Sequence, residues 1–194
     1  MSEAKVHNYA FRKALGYVRN KRGRLGIESI KQTFESTTHQ KLSTQYPYMP
    51  SYYPIKSFVI LLQIIKSNLG ERQVSNSEVS KSRCCDIGFY LYAGPEESDS
   101  PYHYLDPHKD LPKVMGDFYH NLKSPSAIFK GCDTNLEISD SEIVATWKKL
   151  SDYIELFYYL EGVHLGMIKE SSSEGKLTAI MEGDSFVYTI KLLE

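Results

Sequence analysis

The residues best suited to chemistry in this chain are His103, His108 and His120, the adjacent thiols Cys84 and Cys85, the lone Cys132, and carboxylates scattered from Glu96 to Asp117. A zinc site needs ligands that converge, such as two histidines four apart on a helix or paired Cys-x-x-Cys units. Neither pattern occurs; His103 and His108 are five apart with Pro107 between them. Glu96, Glu97, Asp99, Asp106, Asp110 and Asp117 lie in a polar, turn-rich stretch, where solvation explains them better than acid–base work or cation binding. No Gly-x-Ser-x-Gly elbow presents a nucleophile. Gly23, Arg24 and Gly26 follow no strand and lead to no Gly-Lys-Ser/Thr, so they make a turn and not a phosphate cradle. These motifs give no support to an enzyme, and no metal is expected.

Composition narrows the remaining classes. The 194 residues, 41% of them hydrophobic, suffice to bury a full core, and one domain spanning 1–194 is the expectation. A net charge of −1 gives no reason to expect nucleic acid as a partner. The charge is uneven, however: residues 1–31 carry eight basic side chains against Glu3 and Glu28, a local charge of +6 that would permit weak peripheral contact with an anionic membrane surface. Adjacent Cys84 and Cys85 cannot sensibly bridge each other, so the cysteine usage suits a reducing, cytoplasmic setting. The most apolar run, Phe58 to Ile65, is too short to span a bilayer.

The elements that would position these side chains follow from periodicity. Val6, Ala10, Ala14, Tyr17 and Val18 recur at helical spacing, Gly23 and Gly26 interrupt them, and Ile27, Ile30 and Phe34 resume a second helix. Residues 46–54, with three prolines, predict an aromatic loop or extended connection. Phe58, Leu61, Leu62, Ile65 and Leu69 share one face of a helix from Ile55 to Leu69. A capped helix from Ser75–Ser77 towards Tyr92 follows, then a short amphipathic helix over Leu111–Leu122. Alternation at Ala127 and Phe129, and again at Ile143, Ala145 and Trp147, predicts two strands joined by a turn-rich DTNLEISD. Ser151 and Asp152 with Glu155 read as a capping box for a helix from Tyr153 to Ile168, and Gly183-Asp184-Ser185 predicts a closing β-hairpin. The order, about ααααα-ββ-α-ββ, is α+β with the helices first and a small antiparallel sheet.

That order, with Tyr53-Pro54 opening a helix that ends near Leu69-Gly70, a capped helix to Gly88, and the run Leu160-Glu161-Gly162 through Gly166 to Glu182-Gly183-Asp184, resembles the heme-nitric-oxide/oxygen-binding superfamily fold. Four-vinyl-reductase-type hydrocarbon-binding domains and transport-protein-particle subunits of vesicle tethers share it. The resemblance implies a glycine-bearing helix packed across the sheet, with Gly162 and Gly166 permitting close backbone approach. It also implies sensing or binding as the activity. The gas-binding branch clamps heme with a Tyr-x-Ser-x-Arg run, and the corresponding Trp147-Lys148-Lys149-Leu150-Ser151 lacks it. A heme ligand would have to come from His103, His108 or His120, with His108 in LDPHKDL nearest in position, so heme is not expected.

The reading that results is a non-catalytic sensor or ligand-binding domain. A small apolar ligand would sit between the helices and the sheet against Phe58, Leu62, Ile65, Phe118 and Trp147, and its presence would be relayed to a protein partner or a second subunit. The rival is a structural adaptor of the vesicle-tether kind, filled by its own side chains. A two-fold homodimer is the expected assembly.

Overall fold

The computed structural model describes residues 4–42, 51–69, 76–93 and 109–193, with the side chains of 76–82 excepted. A short strand β1 (Lys5–His7) leads directly into α1 (Asn8–Thr38), where the His7 imidazole accepts a hydrogen bond from the Tyr9 backbone N–H at 3.2 Å and caps the helix. α1 changes direction at Gly23, whose φ of 64° lies in the left-handed region that a side chain would resist. The two helices expected from the sequence are the two arms of this kinked element. At the bend Arg19, Lys21, Arg22 and Arg24 are all exposed, and Leu25 beside them is 85% exposed.

Strand β2 (Tyr52–Pro54) precedes α2 (Ile55–Asn68), and α3 (Asn76–Ala93) and α4 (Leu111–Asn121) complete the first helical group. Asp110 caps α4, accepting from the Lys113 N–H at 2.9 Å, and Pro112 sits in the first turn, where a missing N–H costs nothing. Strands β3 (Phe129–Lys130), β4 (Asp133–Ile138) and β5 (Glu142–Lys148) follow, then α5 (Ile154–Glu170), β6 (Gly175–Glu182) and β7 (Ser185–Leu192). Ser75, Gly70, His103, His108, Glu96, Glu97, Asp99 and Asp106, all singled out in the sequence, lie outside the described residues.

The chain is α+β, as expected, with two sheets. The larger has the order β4-β5-β7-β6, every neighbour antiparallel, and its inner face presents Ile143, Ala145 and Trp147 on β5 beside Ile190, Tyr188 and Phe186 on β7. The smaller has the order β2-β1-β3, with Val6 paired to Tyr53 on one side and Phe129 on the other.

Four local expectations are corrected. Val6 belongs to a strand and not to the helix that follows, because its neighbours supply ladder partners far away in sequence. DTNLEISD is not merely a turn: Asp133–Ile138 forms edge strand β4, and because four of its six side chains are exposed and none is fully buried, it lacks the apolar face that marks a strand in sequence. Phe129 pairs with β1 and not with the strand carrying Trp147. The capping box also fails; α5 starts after Tyr153 without a side-chain cap, and Glu155 is instead buried and ion-paired with Lys66 at 3.2 Å.

Glycines allow α3 and α5 to approach closely. A Cβ on Gly88 would overlap the Tyr159 carbonyl oxygen, and one on Gly162 would overlap the Cys85 carbonyl oxygen. Gly166 likewise faces Tyr92 Cβ, at 2.8 Å from where its own Cβ would stand. The two backbones therefore touch where side chains would otherwise hold helices 8–10 Å apart. No helix among the described residues is long and apolar enough to cross a membrane.

Candidate functional site

α4 and α5 pack against the large sheet, α2 packs on α5, and a chain of aromatic rings runs between them. Phe58 on α2 meets Tyr159 on α5 with centroids 5.0 Å apart; Tyr159 meets Phe129 at 6.3 Å, and Phe129 meets Trp147 at 5.3 Å. Trp147 then meets Tyr119 of α4 at 5.9 Å, and Phe118 lies beside Tyr119 at 5.4 Å. Phe58, Leu62, Ile65, Phe118 and Trp147, the expected pocket walls, all belong to this one core and are each at most 1% exposed. A hollow beside them would leave surface on its walls, so in this conformation their neighbours fill the space.

Polar groups cross this apolar region in a connected line. The Trp147 Nε1–H donates to the Tyr119 hydroxyl at 2.6 Å, and that hydroxyl is 2.9 Å from His164 Nε2. His164 Nδ1 is 2.6 Å from the Leu160 carbonyl, which can only accept. The geometry therefore assigns the imidazole proton to Nδ1, leaving Nε2 to accept from Tyr119. His164 also stacks on Tyr188 at 4.5 Å, and the Tyr188 hydroxyl donates to the Phe157 carbonyl at 2.7 Å. Burial drives the His164 pKa down to about 4, so the ring is neutral at physiological pH, and burial pushes the Tyr119 phenol up. This line joins α4 to the sheet and to α5, and every member along it is satisfied.

A hydroxyl among the same rings is not. Among the described residues the Tyr159 hydroxyl has no hydrogen-bond partner although Tyr159 is completely buried, and burial raises its pKa well above the ordinary value. An orphaned hydroxyl of this kind costs about 1–3 kcal/mol relative to a bonded one. It lies on the ring that bridges Phe58 and Phe129.

The described residues do not fit heme. His164 has both ring nitrogens engaged; His7 uses Nδ1 to cap α1, and His39 and His120 stand on the surface. Lys148 and Lys149, which stand where a propionate clamp would be sought, are exposed, and Lys149 reaches only Asp133 at 3.9 Å. His108 lies outside the described residues. Nor does any group of three or more His, Cys, Asp or Glu converge among the described residues.

Sequence reasoning missed Tyr119, His164, Tyr159 and Tyr188. A signal for His164 was present: with Phe157, Leu160 and Met167 it completes the apolar stripe of α5, and a histidine on such a stripe is buried and needs partners. Cys84, Cys85 and Cys132 are free thiols; burial pushes Cys84 and Cys132 up to about 12, with the Glu155 carboxylate adding to the effect at Cys84. A cleft of about 430 Å³, lined by Tyr17, Asn20, Lys21, Asp86, Phe89 and Tyr90, lies between α1 and α3, apart from the aromatic core.

No family sequence model matches the chain. No curated protein sequence matches it either. Solved structures do. The H-NOX domain from Shewanella oneidensis in its Fe(II)CO state superposes with a TM-score of 0.64 at 14% identity, covering 96% of this chain and 98% of that one. The S. oneidensis H-NOX protein in its Fe(II)NO state gives 0.63 at 14% identity, over 97% and 99%. The Fe(II) unliganded H-NOX protein from K. algicida gives 0.59 at 16% identity, over 97% of each chain. Along almost its whole length, this chain therefore has an H-NOX-like fold.

Proposed function

We propose that this chain is a non-catalytic ligand-binding domain that senses a small, largely apolar molecule carrying one polar group. The observation that carries the reading is the Tyr159 hydroxyl, fully buried and unpartnered among the apolar rings where the ligand was expected. A ligand hydroxyl or carbonyl would satisfy it, and its apolar body would lie against Phe58, Leu62, Ile65, Phe118 and Trp147 by displacing their present contacts. The similarity in fold to an H-NOX domain in an Fe(II)CO ligation state supports ligand binding. α4 is the element suited to move. It is short, and its buried polar attachment to the sheet and α5 runs through the single hydroxyl of Tyr119. A ligand that binds better with α4 displaced would shift the population between two packings.

Trp147 is the only tryptophan, so its fluorescence reports the site directly. Native mass spectrometry of the freshly purified protein, followed by titration with lauric acid under Trp147 fluorescence, tests the proposal. A lipid-sized adduct or a saturable change in Trp147 emission is expected. Neither, together with no heme adduct, would sink it; a heme adduct would place the ligand with His108 instead and replace the apolar reading.

A second reading is favoured by a different observation: the expected pocket walls are already filled. A filled core suits an adaptor that works through its surface. The exposed Arg19, Lys21, Arg22, Arg24 and Leu25 at the Gly23 bend would then serve weak contact with an anionic membrane, which cosedimentation with phosphatidylserine vesicles at low and high salt would detect.

A further inference from the structure

Strand β6 is one of the two edge strands of the large sheet, and its outer edge is open for pairing. Ile180 and Met181 are each 50% exposed, Lys176, Thr178 and Glu182 are exposed, and no proline or bulge interrupts the ladder to β7. The turn Gly183–Asp184 has two residues, with Gly183 in the left-handed region at φ 59°. Glu182 and Ser185 close it as a mutually hydrogen-bonded pair. By alternation, Glu182, Ile180, Thr178 and Lys176 direct their main-chain groups to β7, while Met181, Ala179, Leu177 and Gly175 direct theirs away from the sheet. Those outward N–H and C=O groups form a free template for another strand.

The strand is complementary to itself. Turned about a two-fold axis at Ala179, two antiparallel copies place Leu177 opposite Met181, Thr178 opposite Ile180, and Lys176 opposite Glu182 at both ends. The Leu177–Met181 pairs fall on the inner face and the Thr178–Ile180 pairs on the outer one. In this register Ala179 pairs with itself, and the outward-facing residues meet as hydrogen-bonded pairs, giving about six new main-chain bonds. Shifting the axis to Thr178 would oppose Glu174 to Glu182, so charge selects the first register. Within the chain neither Lys176 nor Glu182 has an ion-pair partner among the described residues, and the cross-strand neighbour of Lys176 is the like-charged Lys191. The other edge differs. β4 carries Asp133 and Glu137 and no lysine or arginine, which disfavours a like copy.

We infer that β6 is a homodimer interface, at which two copies of this chain pair antiparallel about Ala179 and join their four-stranded sheets edge to edge. The dimer is isologous and closed, so it consumes both free β6 edges and does not propagate. Ile180 and Met181 become buried against Thr178 and Leu177 of the other copy.

Sedimentation analysis of the full chain from micromolar to near-millimolar concentration, with amide exchange by NMR, tests this. A dimer is expected, with the Leu177, Ala179 and Met181 amides protected only as it forms. Lys176→Glu should raise the dimer Kd about tenfold or more, because it opposes two carboxylates at each end while improving the pairing with Lys191 within the chain. Glu182→Lys should do the same, and the double variant should restore wild-type affinity. Ala179→Pro should abolish the dimer and spare the hairpin, since the N–H it removes points away from β7. A monomer throughout, a dimer indifferent to both charge reversals, or open-ended assembly would each overturn the inference. None of these outcomes depends on whether the aromatic core takes a ligand.

Discussion

The Tyr119 hydroxyl, on α4, donates to His164 Nε2 on α5 across 2.9 Å while accepting from Trp147 on the sheet. One oxygen thus ties three elements together. Tyr119→Phe leaves the Trp147 N–H and His164 Nε2 both buried and unpaired, and should cost about 2–4 kcal/mol in urea unfolding. His164→Gln, which keeps an acceptor near Nε2, should cost clearly less.

Stability should fall in mild acid. The folded-state pKa of His164, about 4, lies below the 6.5 of a free histidine. Between these values the unfolded chain binds the extra proton, so the stabilisation is complete above pH 6.5, declines as pH drops, and is exhausted near pH 4. The total loss is on the order of 3 kcal/mol. His7, also lowered by burial and by Arg12, adds a contribution of the same sign. Unfolding free energy measured from pH 7 to 4 should therefore slope downward in the wild type and noticeably less in His164→Gln; equal slopes would contradict the assignment.

Two glycine-to-alanine substitutions should act in opposite directions. Gly162→Ala drives a methyl into the Cys85 carbonyl across the α3–α5 crossing and should destabilise by about 3 kcal/mol or more. Gly116→Ala, in α4, meets nothing within 4 Å and should stabilise by up to about 1 kcal/mol through helix propensity. Thermal melts of the pair against wild type would check both.

Tyr159→Phe deletes an orphaned hydroxyl from the aromatic core. The ligand-free protein should become more stable by about 1–2 kcal/mol. Affinity for lauric acid should fall if that hydroxyl meets the ligand's polar end, and a variant that gained stability without losing affinity would move the polar contact elsewhere.

The thiols of Cys84 and Cys132, both raised to about 12, should resist iodoacetamide in the native protein at neutral pH and react readily in urea. Peptide mapping of the labelled protein would show which cysteines stay unmodified.

Much of the architecture was legible from local pattern. The amphipathic stripe of α2, the glycine break at Gly23 and the Gly183–Asp184 turn each follow from neighbours close in sequence, and the structure places each as expected; Gly162 and Gly166 do permit close backbone approach, but to α3 and not to the sheet. The burial of Phe58, Leu62, Ile65, Phe118 and Trp147 was legible for the same reason, because a residue's face is fixed by helical or strand period.

Tertiary structure decided what period cannot encode. β1, β2 and β3 are too short to show alternation, and they exist only because segments far apart in the chain supply ladder bonds to β1: His7 N–H donates to the Ile128 carbonyl on one side, and Asn8 N–H donates to the Ser51 carbonyl on the other. The bond from Tyr119 to His164 spans 45 positions, and the pairing of β5 with β7 crosses the whole of α5. Sequence determined which side chains turn inward. Only folding decided which of them meet, because hydrogen bonds and ring contacts depend on distances in space that local propensity does not specify.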